Sequence, residues 1–416
     1  MKTLLEQARE GLITEAMKAV AKSERVSEKF IREGVAEGRI VILQRPGFSP
    51  LGIGKGLRTK VNANIGSSSD AVDEEKEIEK ARVAEKYGAH TISDLSMGGN
   101  LAYLRVKILE ATTVPVSSVP IYQALSECRS FEKMSLSKIL KVLRRDVYQG
   151  ISSIVIHPGF TLETLEKVRK RKRIMGIVSK GGSYTAMWML THRRENPFLE
   201  VFDEILDIAH SRDVVLSLGN TMRSGSVYDE LDEPQMDELH MNTELAEKAN
   251  ERGVQVIIEG LGGHIPAGNI APSVEKFNKI TGQRPLYVAG PLPVDVAVGY
   301  DHIAACVGGA LAAGAGADYL CYITPAEHLN LPTVEQVKEG VLACRIAAHI
   351  GDTVKYGLSE ADRNIGLHRR KQDWEGQFFH ALDGGEKGRQ IRGETVMCKM
   401  CGRYCALKIM DQYLGG

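Results

Sequence analysis

The chain has 416 residues, 43% apolar and 25% charged, which suits one large α/β barrel with additions or two to three ordinary domains. Basic and acidic residues balance at 53 each, so no global field favours nucleic acid or an anionic membrane. No apolar stretch reaches the roughly 20 residues of a membrane span, and the N-terminus lacks a signal-peptide core, so a cytoplasmic protein is expected.

Residues 1–56 read as a polar helical region that ends in the loop Gln44-Arg45-Pro46-Gly47-Phe48-Ser49-Pro50. Beyond it, short apolar runs alternate with helical segments. Strands are expected at 60–65, 91–95, 114–119, 152–156, 176–178, 214–218, 254–258, 286–289 and 319–323. Helices are expected at 73–87, 161–173, 197–210 and 243–252. This repetition predicts a parallel sheet, with Val/Ile/Leu runs buried on both faces. A closed (β/α)8 TIM-type barrel over 57–350 is the expected fold. It needs eight strands, so one of the nine candidates must be a loop or accessory strand. The competing architecture is a doubly wound open sheet, which lacks its Gly-x-Gly-x-x-Gly after the first strand. The basic run at 169–173 reads as a solvated helix end. Residues 351–416 form a C-terminal region with a glycine-rich tether at 383–388 and a cysteine tail.

Barrel enzymes draw their chemistry from the C-terminal ends of the strands. Polar residues collect there: Asn62, Asn64 and Gly66, then Asp94 and Ser96, Tyr122, His157, Asn220 and Arg223, and Glu259 with His264. Ser179-Lys180-Gly181-Gly182-Ser183 offers N–H groups, hydroxyls and a cation before a helix, as a phosphate cradle would. Glycine-rich loops are common in barrels, so the signal is weak alone. Arg223 is a second candidate anion anchor. His264 and His328 each follow a strand, where an imidazole can reach a shared metal or simply bond its own loop. Tyr300-Asp301-His302 reads equally as an acid–base pair or a structural bond. Cys128, Cys306, Cys321 and Cys344 read as buried free thiols.

The tail run Met397-Cys398-Lys399-Met400-Cys401-Gly402-Arg403-Tyr404-Cys405 holds three cysteines close enough to meet at one metal centre. A structural zinc or a simple electron-carrying cluster usually takes four ligands. Three cysteines on a four-iron cluster leave one iron open for chemistry. A zinc knuckle completed by a distant histidine, or plain thiols, are the other readings. The first of these would go with a zinc-dependent barrel hydrolase or aldolase.

Lys60-Val61-Asn62-Ala63-Asn64-Ile65-Gly66, Val119-Pro120-Ile121-Tyr122-Gln123-Ala124, Gly299-Tyr300-Asp301-His302-Ile303, Cys321-Tyr322-Ile323-Thr324-Pro325-Ala326-Glu327-His328-Leu329 and the cysteine tail resemble the phosphomethylpyrimidine synthase (ThiC) family of radical S-adenosylmethionine (SAM) enzymes. The resemblance runs in order along almost the whole chain. It implies a (β/α)8 barrel and a homodimer in which one subunit's tail reaches the other's site. It also implies a SAM-binding 4Fe–4S cluster on Cys398, Cys401 and Cys405, and an external electron donor of ferredoxin or flavodoxin type. The substrate it implies is 5-aminoimidazole ribotide. The family motifs put that substrate against Asn64, Ser93, Tyr122, His157, Ser179, Lys180, Gly181, Asn220, Arg223, Glu259 and Tyr287, with Glu259, Tyr287 and His157 as the catalytic set. They put a divalent metal, zinc or iron, on His264 and His328.

Departures from the family pattern cluster at the pocket. Ser93-Asp94-Leu95-Ser96 stands for Met-Asp-Leu-Ser, Ser179-Lys180-Gly181-Gly182 for Ser-Arg-Gly-Gly, and Asn220-Thr221-Met222-Arg223-Ser224-Gly225 for Asp-Gly-Leu-Arg-Pro-Gly. The stretch from Glu259 to His264 is one residue longer than Glu-Gly-Pro-Gly-His. Lysine lacks the bidentate fork of arginine, and Asn220 removes an ionic acceptor. This pattern suits the family's paralogue, the anaerobic 5-hydroxybenzimidazole synthase of cobamide lower-ligand synthesis, whose product carries no phosphate. Phosphomethylpyrimidine synthase of thiamine synthesis is the alternative.

Overall fold

The computed structural model describes residues 2–229, 231–393, 398 and 400–414. Contacts divide them into two units, Met1–Lys355 and Tyr356–Gly416.

The first unit opens with the helices Leu4–Arg9, Glu15–Glu24 and Glu28–Ala36. Thr3, Thr14 and Ser27 cap them, each hydroxyl accepting from an N–H three residues on. An antiparallel hairpin follows, β1 (Ile40–Leu43) and β2 (Leu51–Gly54). The sequence reading gives this region helices only. Four-residue strands are too short to show a period of two, and β1 is buried throughout. Ile40 and Ile42 face a small core with Val20 and Ile31. Val41, Leu43 and Ile53 face Val215, Ile257 and Tyr319 of the barrel strands. The hairpin therefore plugs the barrel's N-terminal end and leaves the opposite end for function.

The barrel strands are β3 (Lys60–Ile65), β4 (Thr91–Asp94), β5 (Val116–Ser118), β6 (Ser153–Ile156), β7 (Val215–Leu218), β8 (Val256–His264), β9 (Leu286–Leu292) and β10 (Tyr319–Cys321). Every neighbouring pair is parallel, and β10 closes on β3. The fold is the expected TIM-type barrel, not an open sheet. The surplus candidate is 176–178. β6 pairs directly with β7, so no ladder position is left for it, and Gly176 sits at φ +63°. Ser179, Lys180 and Gly181 therefore do not follow a strand. They begin the helix Lys180–His192 inside the long β6–β7 connection.

Other boundaries moved for local reasons. The helix expected from 243 starts at Glu233, because Asp232 caps it and Pro234 is tolerated in the first turn. The segment 197–210 breaks into Pro197–Glu200 and Phe202–Ser211. The basic run ends the helix Leu162–Arg171 as expected, but Arg173 is buried in an ion pair with Asp232 rather than solvated. Asp94 closes β4 without reaching the pocket. It accepts from Arg105 Nε at 3.1 Å, and Arg105 also pairs with Asp146 and donates to Gln123 Oε1 at 2.9 Å.

The second unit contains the helices Glu360–Arg370, Trp374–His380, Glu386–Arg392 and Ala406–Leu414. The expected tether at 383–388 is a folded cap. Both Asp383 carboxylate oxygens are used, accepting from the N–H groups of Gly385 and Lys387 at 2.8 Å each, and this starts the next helix. Among the described residues, no helix is long and apolar enough to cross a membrane.

Candidate active site at the C-terminal end of the barrel

The floor of the site is a closed polar network. Asn62 on β3 donates to Tyr287 Oη at 2.9 Å and to Asn64 Oδ1 at 2.8 Å, and accepts from Thr91 and Ser93 at 2.9 and 3.0 Å. Asn64 Nδ2 donates to Cys321 Sγ at 3.0 Å, and Tyr287 stacks on Tyr319 with ring centroids 4.2 Å apart. Burial pushes the Tyr287 hydroxyl well above its usual pKa, and the Cys321 thiol up to about 11. Both stay neutral, which lets the network hold without buried charge. Ser93 spends its hydroxyl on Asn62, so it supports the floor from one side. Asn64, Lys180, Glu327 and His328 line a cavity of about 240 Å³ above the floor.

One wall is built for an anion. Ser179 caps the helix Lys180–His192 by accepting from Gly182 N at 3.1 Å, which places the positive end of the helix dipole and Lys180 at this wall. Lys180 lies over the Tyr122 ring, 5.0 Å from its centroid, and burial lowers its pKa. His157 is wedged between two backbone segments. A Cβ on Gly181 would come within 2.3 Å of its ring, and one on Gly219 within 2.6 Å. Burial, with the Arg223 charge, pushes His157 down to about 3, and its Nδ1 has no hydrogen-bond partner. A neutral buried imidazole with an unused nitrogen is equipped to meet a polar ligand.

The other wall is the irregular strand β8. Its pairing with β9 shifts register twice, between Glu259 and Leu261 and again between Gly262 and His264. Glu259 therefore lies within the strand, where Ser217 Oγ donates to it at 2.9 Å. Burial raises the Glu259 pKa, opposed by Ser217 and by Arg223. Asn220 Nδ2 donates to Gly260 O at 2.9 Å, and Arg223 donates to Asn220 O at 2.9 Å. His264 and His328 face each other with ring centroids 5.2 Å apart. His264 Nδ1 bonds Asp295 at 2.6 Å, which leaves Nε2 as the coordinating atom. The two imidazoles would supply two ligands to a divalent ion such as zinc or iron, and among the described residues no third His, Cys, Asp or Glu joins them.

In the second unit, Cys398 and Cys401 are exposed and Cys405 is half-buried, and all three thiols are free. A 3-10 turn, Gly402–Tyr404, separates Cys401 from Cys405, with Gly402 at φ +52°. Three accessible thiols on a turn fit a cluster with one open iron.

The barrel thus brings Asn64, Tyr122, His157, Ser179, Lys180, Gly181, Asn220, Arg223, Glu259, His264 and His328 toward one end, while Tyr287, near the start of β9, packs on the hairpin side and reaches Asn62 with its hydroxyl. Sequence reasoning missed Cys321 and Asp295. Cys321 reads as a core thiol in an apolar run, and its position at the end of a strand was the available signal. Asp295 has no sequence signal, because only folding brings it to His264.

A closed barrel with two facing imidazoles at its C-terminal end, and three free thiols on a turn of the second unit, suit an enzyme that uses metal. The family model described as "Radical SAM ThiC family" matches residues 3–412. The chain is 48% identical to the phosphomethylpyrimidine synthase of Thermus thermophilus, covering 100% of this chain and 98% of that one. It is 46% identical to the enzyme of that name from Methanoculleus marisnigri, covering 99% of each. For the one from Desulforamulus reducens the identity is 47%, over 98% of this chain and 97% of that one. The chain belongs to the radical SAM ThiC family. Membership implies a 4Fe–4S cluster and SAM.

The buried neutral His157 has a measurable consequence. The unfolded chain takes up a proton there below about pH 6.5, while the folded chain holds out to about 3. The stability His157 contributes is complete above pH 6.5 and lost as pH falls, by up to about 1.4 kcal/mol per unit. Urea unfolding at pH 7 and pH 5 should show His157→Gln losing about 2 kcal/mol less than the unsubstituted chain. Equal losses would contradict a neutral His157.

Proposed function

We propose that the chain is a radical SAM enzyme that rearranges 5-aminoimidazole ribotide to 5-hydroxybenzimidazole. Cys398, Cys401 and Cys405 would hold the cluster, which with SAM and an electron from an external donor would supply the radical chemistry. The helix Lys180–His192 and Lys180 hold the ribotide phosphate, and His157 accepts or donates one hydrogen bond without adding charge. Glu259, with its pKa raised by burial, is suited to give and take a proton as the ring rearranges. Tyr287 and Asn64 fix the substrate on the floor.

The observation that carries this product is the bond from Asn220 to the Gly260 carbonyl. An aspartate at 220 cannot donate to that carbonyl. The departure at 220 and the lengthened stretch before His264 are thus one structural unit, which reshapes the wall carrying Glu259 and His264. Lys180, a point charge softened by burial, suits a phosphate that must leave. The relatives' names support a second product better, the phosphomethylpyrimidine phosphate of thiamine synthesis. The first product rests on the changed wall at Asn220 and Lys180, and the second on those names.

The test is anaerobic incubation of the cluster-reconstituted full chain with 5-aminoimidazole ribotide, SAM and a reductant, followed by mass analysis. 5-Hydroxybenzimidazole and 5′-deoxyadenosine are expected, and Cys401→Ala should abolish both. A phosphorylated pyrimidine would transfer the assignment to the second product. Absence of 5′-deoxyadenosine would overturn both.

We also infer a homodimer. Ile303, Val307 and Leu311 recur every four residues along the exposed side of the helix Asp301–Gly314. Ile346, Ile350 and Val354 do the same on the helix Val334–Tyr356. Gly309 against Ala347 and Gly351 against Ala313 bring the two helices together, so the stripes form one apolar face. Light scattering should give the mass of two chains, falling to one in Val307→Glu. A monomeric unsubstituted chain would contradict the inference.

A further inference from the structure

We infer that Asp295 is a positioning residue that sets the His264 tautomer and ties metal affinity to the loop after β7. The inference rests on the reading that His264 and His328 hold the divalent metal. Asp295 stands after β9 and uses both carboxylate oxygens. Oδ1 bonds His264 Nδ1 at 2.6 Å, while Oδ2 accepts from Ser226 Oγ at 2.9 Å and from the Val227 N–H at 3.1 Å. One side chain thus joins the ends of β7, β8 and β9. The contact to Nδ1 requires that this nitrogen carry the proton, which leaves a lone pair on Nε2 for the metal.

The same loop begins with Asn220 and Arg223, which lie along the wall that carries Glu259. It is held to His264 a second time, by Ser224 Oγ donating to the His264 carbonyl at 2.5 Å and His264 N donating to Ser224 O at 3.2 Å. A shift of the substrate-side loop is therefore transmitted to the imidazole through Ser226 and Asp295, without passing through the metal.

Asp295→Asn separates positioning from scaffolding. The Val227 N–H can only donate, so the asparagine must turn its carbonyl oxygen to Val227 and Ser226. Its amide N–H then faces His264 Nδ1 and forces the proton onto Nε2. The loop keeps its bonds and the metal loses its ligand. Zinc affinity is measured by chelator competition on the cluster-reconstituted full chain, which keeps the tail cysteines occupied, with His264→Ala as background. Asp295→Asn should weaken zinc by about 10- to 100-fold with little change in melting temperature. Ser226→Ala, which touches no ligand, should weaken it by a smaller factor. Asp295→Ala should lose both zinc and stability, and Asp295→Glu should recover part of the affinity. An Asp295→Asn chain that binds zinc as the unsubstituted chain does would overturn the inference alone. Zinc binding unchanged in His264→Ala would overturn the metal-site reading and the inference together.

Discussion

Gly263 has no room for a side chain. Its φ is +80°, and a Cβ there would stand 2.0 Å from the Ser224 carbonyl oxygen. Any other residue would have to push the loop after β7 off the end of β8, in a conformation that L residues rarely adopt. The close approach lets His264 exchange hydrogen bonds with Ser224 and leaves its ring between Asp295 and His328. Along this pair of strands, the first register shift takes up one extra residue in β8, at Gly260, and the second takes up one in β9, so the two cancel by His264. The metal end and the substrate wall therefore share one backbone constraint.

The rest of the site solves a burial problem. Asn62, Asn64, Thr91, Ser93, Tyr287, Tyr319 and Cys321 crowd the floor, where each unpaired polar group costs about 1–3 kcal/mol. They bond one another and remain uncharged, so the floor is rigid before substrate arrives. Charge is kept to the walls, in Lys180, Arg223 and Glu259. The hairpin plug at the far end lets the barrel mouth carry polar residues without exposing the core.

Much of this was legible in the sequence because barrel chemistry follows strand ends. Asn64, His157, Arg223 and His264 stand where apolar runs stop, and a pattern reader finds them there. Ser179 and Lys180 were found for the wrong reason. Their short apolar prefix mimics a strand, and only the direct pairing of β6 with β7 shows that it is not one. Glu259 was expected after its strand, because a bulge is invisible in a linear pattern. Asp295 was illegible as a site residue, and Cys321 was passed over despite standing at the end of a strand. One depends on contacts across three loops, and the other looks like any buried thiol. The hairpin was hidden by its length. The tail cysteines stood out because three of them fall within eight residues, and the structure shows them as free thiols.

Both proposed products begin with a hydrogen atom leaving the ribotide. Anaerobic turnover with 5-aminoimidazole ribotide deuterated throughout its ribose measures that step. The account predicts deuterium in the 5′-deoxyadenosine released, whichever ring is made. Deoxyadenosine formed without deuterium while substrate is consumed would contradict it.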